Sequence, residues 1–173
     1  MPIGQWVMNE ACRQVVAWAD HPTKAHWTLG INVSGRQFRH PDFTEQILAM
    51  IESSGANPQR LKLELTESLL LEDVETVISK MTLLRSSGLR FALDDFGTGY
   101  SSLSYLKRLP LDMLKIDKSF VRDVLTDPND AAIARTISAL AQVLGLSVMA
   151  EGVETEAQHD FLKQQGCHAY QGY

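Results

Sequence analysis

Residues 88–95 read Gly-Leu-Arg-Phe-Ala-Leu-Asp-Asp. The run Phe91-Ala92-Leu93 puts apolar side chains on both faces of an extended segment, which suits a strand of a parallel sheet covered by helices. Gly88 follows an apolar stripe, where a helix C-cap falls. Asp94 and Asp95 come directly after the strand. Helix, glycine, strand and acidic residue form one βα unit read across its seams.

The same order recurs outward in both directions. Strands are expected at residues 27–33, 61–65, 90–93, 113–116, 147–150 and, more weakly, 168–170. Apolar stripes of helical period lie between them: Phe43, Ile47, Leu48 and Ile51; then Val74, Val77, Ile78, Met81 and Leu84; then Ile133, Ile137, Leu140, Ala141 and Leu144. An opening helix is expected from about Pro2, a good first-turn residue, through Ala19. Gly55, Gly145 and Gly166 follow stripes as Gly88 does. This alternation amounts to about six βα units. A closed (β/α)8 barrel has eight, typically in about 250 residues. The pattern therefore fits either an open doubly wound sheet or a barrel short of two units. No GxGxxG or GxxxxGK[ST] follows any strand, which weakens the nucleotide-binding forms of the open sheet.

Composition bounds the function. The chain has 173 residues, 45% hydrophobic and 21% charged, which is globular. Its 16 basic against 21 acidic residues give a net charge of -5, unlike the basic face of a DNA or RNA duplex binder or a membrane-surface binder. Cys12 and Cys167 lie far apart and form no CxxC, so a reducing compartment is the simple reading. Glu10, Arg13 and Asp20 spoil a signal peptide, and the apolar stretch 136–150 stops at Glu151, too short to span a bilayer. The expectation is a cytoplasmic domain, or a piece of one, with no membrane contact by this segment. A parent protein could still be anchored through other domains.

Polar residues gather where strands end. In order they are Asn32 and Ser34, Glu64 and Glu67, Asp94 and Asp95, Lys115 and Asp117, Glu151 and Glu154, and Gln171. In a parallel barrel all these ends face one rim, which carries the active site. A single such residue is more often an N-cap for the next helix, and Asp117 and Thr155 could be only that. Capping does not account for Glu64 and Asp94, which continue the apolar runs LKLE and FALD. Buried carboxylates need a cation or a metal, and Lys115 is one cation among many acids. The donor set Asn32, Glu64, Asp94, Asp95 and Glu151 is all oxygen, which favours Mg²⁺, Mn²⁺ or Ca²⁺ over Zn²⁺. The adjacent acids Asp94 and Asp95 suggest two ions with one carboxylate bridging, the clamp used in phosphate-ester hydrolysis. The five histidines follow no ligand spacing and read as surface or packing residues. Asp95-Phe96-Gly97 spells a kinase motif, but no HRD loop accompanies it. Asn32-Val33-Ser34 is a glycosylation sequon in a chain with nothing that directs secretion.

NVS at 32–34, ELTES at 64–68, DDFGTGYSSLSYL at 94–106, LKIDKSFV at 114–121, AEGVET at 150–155 and QGY at 171–173 together resemble the EAL-domain family, bacterial phosphodiesterases that open cyclic di-GMP to linear pGpG. The resemblance runs from Pro2 to Tyr173. It implies an α/β fold, a TIM-type (β/α)8-like barrel with one strand running against the others, here incomplete with its first strands missing. Residues 1–173 are then a partial EAL domain, without the strands that carry the Glu-Ala-Leu motif and without the C-terminal segment. The resemblance implies metal ligands at Asn32, Glu64, Asp94 and Asp95, a lysine on the attacking water at Lys115, and a metal-binding or general-base carboxylate at Glu151. Glu67 matches the glutamate that braces the DDFGTGYSS loop, itself a dimer contact in the family. Gln171 matches a rim residue near metals and substrate, and Asp117 and Glu154 belong to the same rim. The implied cofactors are two Mg²⁺ or Mn²⁺ ions, with Ca²⁺ inhibitory. The implied partners are cyclic di-GMP, a second copy of the chain, and regulatory sensor or GGDEF domains in a parent protein. A non-catalytic cyclic di-GMP receptor or partner-docking module is the competing function, and it predicts eroded metal motifs. This chain alone is expected to be impaired by truncation and, with open sheet edges, to self-associate.

Overall fold

The computed structural model describes residues 2–71, 73–99 and 103–172. They form two compact units. The first holds the chain up to Phe91 together with Arg108–Pro110, and the second holds Ala92–Lys107 and the chain from Leu111 onward.

In the first unit, Met8, Ala11, Cys12 and Val15 recur at helical spacing and are buried. They give α1 (Pro2–Trp18) the face it lays on β1 (Leu29–Val33). The expected strand start at Trp27 is wrong by two residues. The Trp27 N–H closes a turn onto the Lys24 carbonyl at 2.9 Å, and its ring packs edge-on against Trp18 at 5.5 Å. A short helix, α2 (Gly35–Arg39), follows, opened by a capping box between Ser34 and Gln37. It is too short to show a periodic stripe, and the sequence reading passed over it. In α3 (Phe43–Ser54) the residues Phe43, Ile47 and Ile51 are buried, as the stripe predicts, and Gly55 closes the helix in the left-handed conformation. The next strand, β2 (Leu61–Thr66), alternates buried and half-buried residues and pairs in parallel with β1 from Leu29 opposite Leu61 to Val33 opposite Leu65. Leu61, Leu63 and Leu65 face the core. A 3₁₀ turn over Glu67–Leu71 leads on to α4 (Val74–Ser86), which buries Val77, Met81 and Leu84. Arg108 reaches the Glu75 carboxylate of this helix at 2.7 Å.

The strand β3 (Arg90–Phe96) starts in the first unit and continues into the second. After α5 (Leu103–Leu106) comes β4 (Met113–Ile116), buried at all four positions, as a strand covered on both faces must be. The five-residue α6 (Lys118–Arg122) is capped by Asp117. Then α7 (Pro128–Leu144) packs on β4 and on β5 (Ser147–Glu151). Its buried face is Ala131, Ala134, Ile137, Ser138 and Ala141. That face is offset from the expected stripe, because small residues let the helix axis approach the sheet while Ile133, Leu140 and Leu144 flank the contact half-buried. The last helix, α8 (Glu156–Gln164), precedes β6 (Ala169–Gln171). In this unit β3 pairs with β4, β4 with β5 and β5 with β6, all in parallel.

Six strands alternating with helices, paired in parallel within each unit, are the βα units expected. Among the described residues no helix is long and apolar enough to cross a membrane.

Candidate metal centre

Successive residues of a strand point to opposite faces, so two adjacent aspartates should not reach one site. The strand β3 breaks that rule. Leu93 is opposite Leu114 and Phe96 is opposite Ile116. Asp94 and Asp95 therefore stand against the single residue Lys115, which defines a β-bulge. Asp95 takes a φ of 53°, in the left-handed region that few side chains adopt. The hydroxyl of Thr98 donates to the Asp95 carbonyl at 2.9 Å and holds the turn. The bulge lets both carboxyl groups serve one site. Carboxylate oxygens of Asp94, Asp95 and Glu151 lie within 4.8 Å of one another, close enough to share an ion.

Lys115 is 4% exposed. Its ammonium lies 3.0 Å from Asp94 Oδ1 and 2.6 Å from Glu151 Oε1. One cation between two carboxylates leaves the cluster acidic once Asp95 is counted. Burial first, and then the charge of Asp94, push the Asp95 carboxyl above its ordinary range. The neighbouring charges of Asp117 and Glu151 add to the same push. Burial works against the Asp117 charge, but bonds from Ser119 outweigh it and hold this group below the usual carboxylate range. Three hard oxygen donors that repel one another fit a divalent cation, which would relieve the repulsion.

In the first unit, Asn32 and Glu64 are register partners near the ends of β1 and β2. Glu64 lies over Gly30: a Cβ at that glycine would sit 2.3 Å from Glu64 Oε1. Glu67 is 5% exposed and opens the 3₁₀ turn after β2. In the second unit Gln171 stands opposite Glu151 in the β5–β6 register and is exposed, as is Glu154. The Glu154 N–H donates to Gln158. Asp117 caps α6 through the Ser119 N–H, the structural role weighed for it. Thr155 caps α8 in a capping box with Gln158. Residues 100–102 of the DDFGTGYSS segment, to which a bracing role for Glu67 and a dimer contact were assigned, lie outside the described residues, as does Tyr173 of QGY. His159 packs edge-on against Tyr170 at 4.6 Å, a packing residue as expected. Sequence reading missed the bulge. The bulge had a signal, since adjacent acids at a strand end can converge only if the strand kinks.

The EAL domain model of this family matches residues 1–173, and the chain belongs to the EAL domain family. It is 43% identical over 171 residues to the bifunctional diguanylate cyclase/cyclic di-GMP phosphodiesterase MucR of Pseudomonas aeruginosa, covering 99% of this chain and 25% of MucR. The chain thus spans about a quarter of the length of the relatives it matches. Among solved structures, the PaMucR phosphodiesterase in complex with c-di-GMP superposes with a TM-score of 0.94 at 43% identity, over 99% of this chain and 69% of that one. Klebsiella pneumoniae BlrP1 in its calcium/cy-diGMP complex gives 0.81 at 31% identity, over 98% and 43%, and a manganese/cy-diGMP complex of the same protein also matches. The fold class is accordingly α/β, an incomplete TIM-type barrel of six βα units.

Proposed function

We propose that this chain carries the metal-binding rim of a cyclic di-GMP phosphodiesterase that opens the ring to linear pGpG. The observation that carries the reading is the convergence of Asp94, Asp95 and Glu151 about the buried ammonium of Lys115. The likeness to MucR supports the substrate, and the BlrP1 complexes support a divalent ion. Asn32, Glu64, Asp94, Asp95 and Glu151 would hold two Mg²⁺ or Mn²⁺ ions. Bound there, such ions activate water and stabilise the charge that builds on the phosphoryl oxygens. In the reaction a water oxygen bonds to phosphorus, one P–O ester bond of the ring breaks, and the freed ribose oxygen takes a proton. Lys115, fixed by its two carboxylates, orients the water by donation. Glu151 accepts its proton. Asp117, Glu154 and Gln171 edge the substrate, and Glu67 braces the loop after β3. Ca²⁺ would bind and inhibit, because its larger and looser shell misplaces the water.

Residues 1–173 are read as part of an EAL domain, within a cytoplasmic portion of a larger signalling protein that carries regulatory sensor or GGDEF domains and pairs through the loop after β3. Hydrolysis by this segment alone is then weak, and stronger in a chain that also carries the Glu-Ala-Leu strand. The test is release of pGpG from cyclic di-GMP by both chains with Mg²⁺, Mn²⁺, Ca²⁺ or chelator. Turnover by the longer chain with Mg²⁺ or Mn²⁺, and none with Ca²⁺ or chelator, is expected. Binding without turnover under every condition would favour the receptor instead.

A further inference from the structure

A capping box asks one thing of its third helical residue: a side-chain oxygen that reaches back to the N-cap N–H. Gln158, third in α8, does this for Thr155 at 3.0 Å. It then does three things more. The same oxygen takes the Glu154 N–H at 2.9 Å. The amide nitrogen donates to the carbonyls of Val121 and Arg122 at 3.2 and 3.1 Å. Both donors and both lone pairs of the amide are thus used, and the side chain is buried. Glutamate would close the box equally well, but as a carboxylate it has no proton to give to α6. The amide is matched to the tie rather than to the cap.

The tie meets the segments that carry the rim. Asp117, Glu154 and Gln171 stand on three of them: the N-cap of α6, the loop after β5 and the end of β6. That loop joins the other two. A Cβ at Gly152 would come within 2.8 Å of Lys118 Cβ, at the first residue of α6. The Val153 N–H donates to the Gln171 carbonyl at 3.1 Å, and the Val153 side chain is buried. A Cβ at Gly172 would overlap the Val153 carbonyl, so the chain leaves β6 pressed against the loop. Glu151 is held differently, by its place in the β5–β6 register.

We propose that Gln158 is a positioning residue of the substrate rim: its amide locks the loop after β5 onto α6, and the loop sets Glu154 and Gln171 along one edge with Asp117. The inference rests on the phosphodiesterase reading above and adds to it a buried residue outside the acidic cluster. Because strand pairing fixes Glu151, a loosened loop weakens the hold on substrate and leaves the chemical step in place. Loss of binding shared by ground and transition states raises KM at unchanged kcat.

The experiment pairs kinetics with amide exchange. In the chain extended to the Glu-Ala-Leu strand, at saturating Mn²⁺, Gln158→Met should raise KM for cyclic di-GMP about 10-fold, the worth of one hydrogen bond, at nearly unchanged kcat. Thr155→Ala is the destabilised control: it loses the cap and keeps the tie, so its KM should match that of the unaltered chain. In the 173-residue chain without metal, exchange of the Val153 N–H should quicken about 10-fold in Gln158→Met, although its partner is Gln171 and not the substituted side chain. Should the methionine variant fold poorly, Gln158→Glu keeps the cap, loses the donors and is expected to raise KM likewise. Equal KM with and without the amide overturns the positioning role and leaves the phosphodiesterase reading standing. Absence of turnover by the unaltered longer chain overturns that reading, and the inference with it.

Discussion

Lys115 is the residue on which the cluster balances. Its ammonium is buried between Asp94 and Glu151, and removing one partner from such a group strands the others, at a cost of about 3–5 kcal/mol. Lys115→Met should lose roughly that much stability by urea unfolding in chelator. Saturating Mn²⁺ should recover much of the loss, because the ion neutralises the same carboxylates. Equal losses with and without Mn²⁺ would mean that the lysine and the ion do not share a site. Asp94, Lys115 and Glu151 were legible because each sets a charge within or at the end of an apolar strand, where burial makes it costly. The convergence of Asp95 with Asp94 was not, since period-two alternation sends neighbours to opposite faces and only the bulge overrides it.

Element boundaries followed the same division. Five strands were visible as apolar runs ending in polar or acidic residues, and the sixth, expected more weakly at 168–170, stands at Ala169–Gln171. The short α2 was not visible, because five residues complete too little of a helical period, and the equally short α6 was signalled only by Asp117 as a candidate cap. Their signals were local: Ser34 with Gln37 three residues on, and Asp117 before Ser119. The same capping grammar holds α8. Gln158 accepts from the N–H groups of Glu154 and Thr155 and donates to the carbonyls of Val121 and Arg122, tying α8 to α6. Thr155→Ala should lower stability by about 1 kcal/mol, the worth of a cap. Gln158→Ala should cost more, about 2 kcal/mol, since it strands buried polar groups on both helices. Urea unfolding of the two variants checks the order, and a reversed order would contradict the tie. Gly152, after β5, has a φ of 70°, and a Cβ there would meet Lys118 Cβ at 2.8 Å. Gly152→Ala should therefore disturb the start of α6 as well as its own turn. Loss of turnover beyond the loss of stability is the expected readout.

At the scale of the molecule, motifs spread over the chain identified the family before any coordinate did. No single one could, because DFG alone has a kinase reading and an acid after a strand is usually a cap. What the sequence left open between an open sheet and a short barrel, the likeness to PaMucR resolves. A cation that binds only the folded chain stabilises it by mass action, about 2.7 kcal/mol at one hundred times Kd. Mn²⁺ and Ca²⁺ should both raise the melting temperature, and only Mn²⁺ or Mg²⁺ should support reaction. The most direct test of the whole account is release of pGpG from cyclic di-GMP at saturating Mn²⁺, by a chain extended to include the Glu-Ala-Leu strand, beside its Asp94→Asn and Glu151→Gln variants. Turnover by the unaltered chain with a fall of at least about 100-fold in each variant is the predicted result. Near-equal turnover in all three would contradict it.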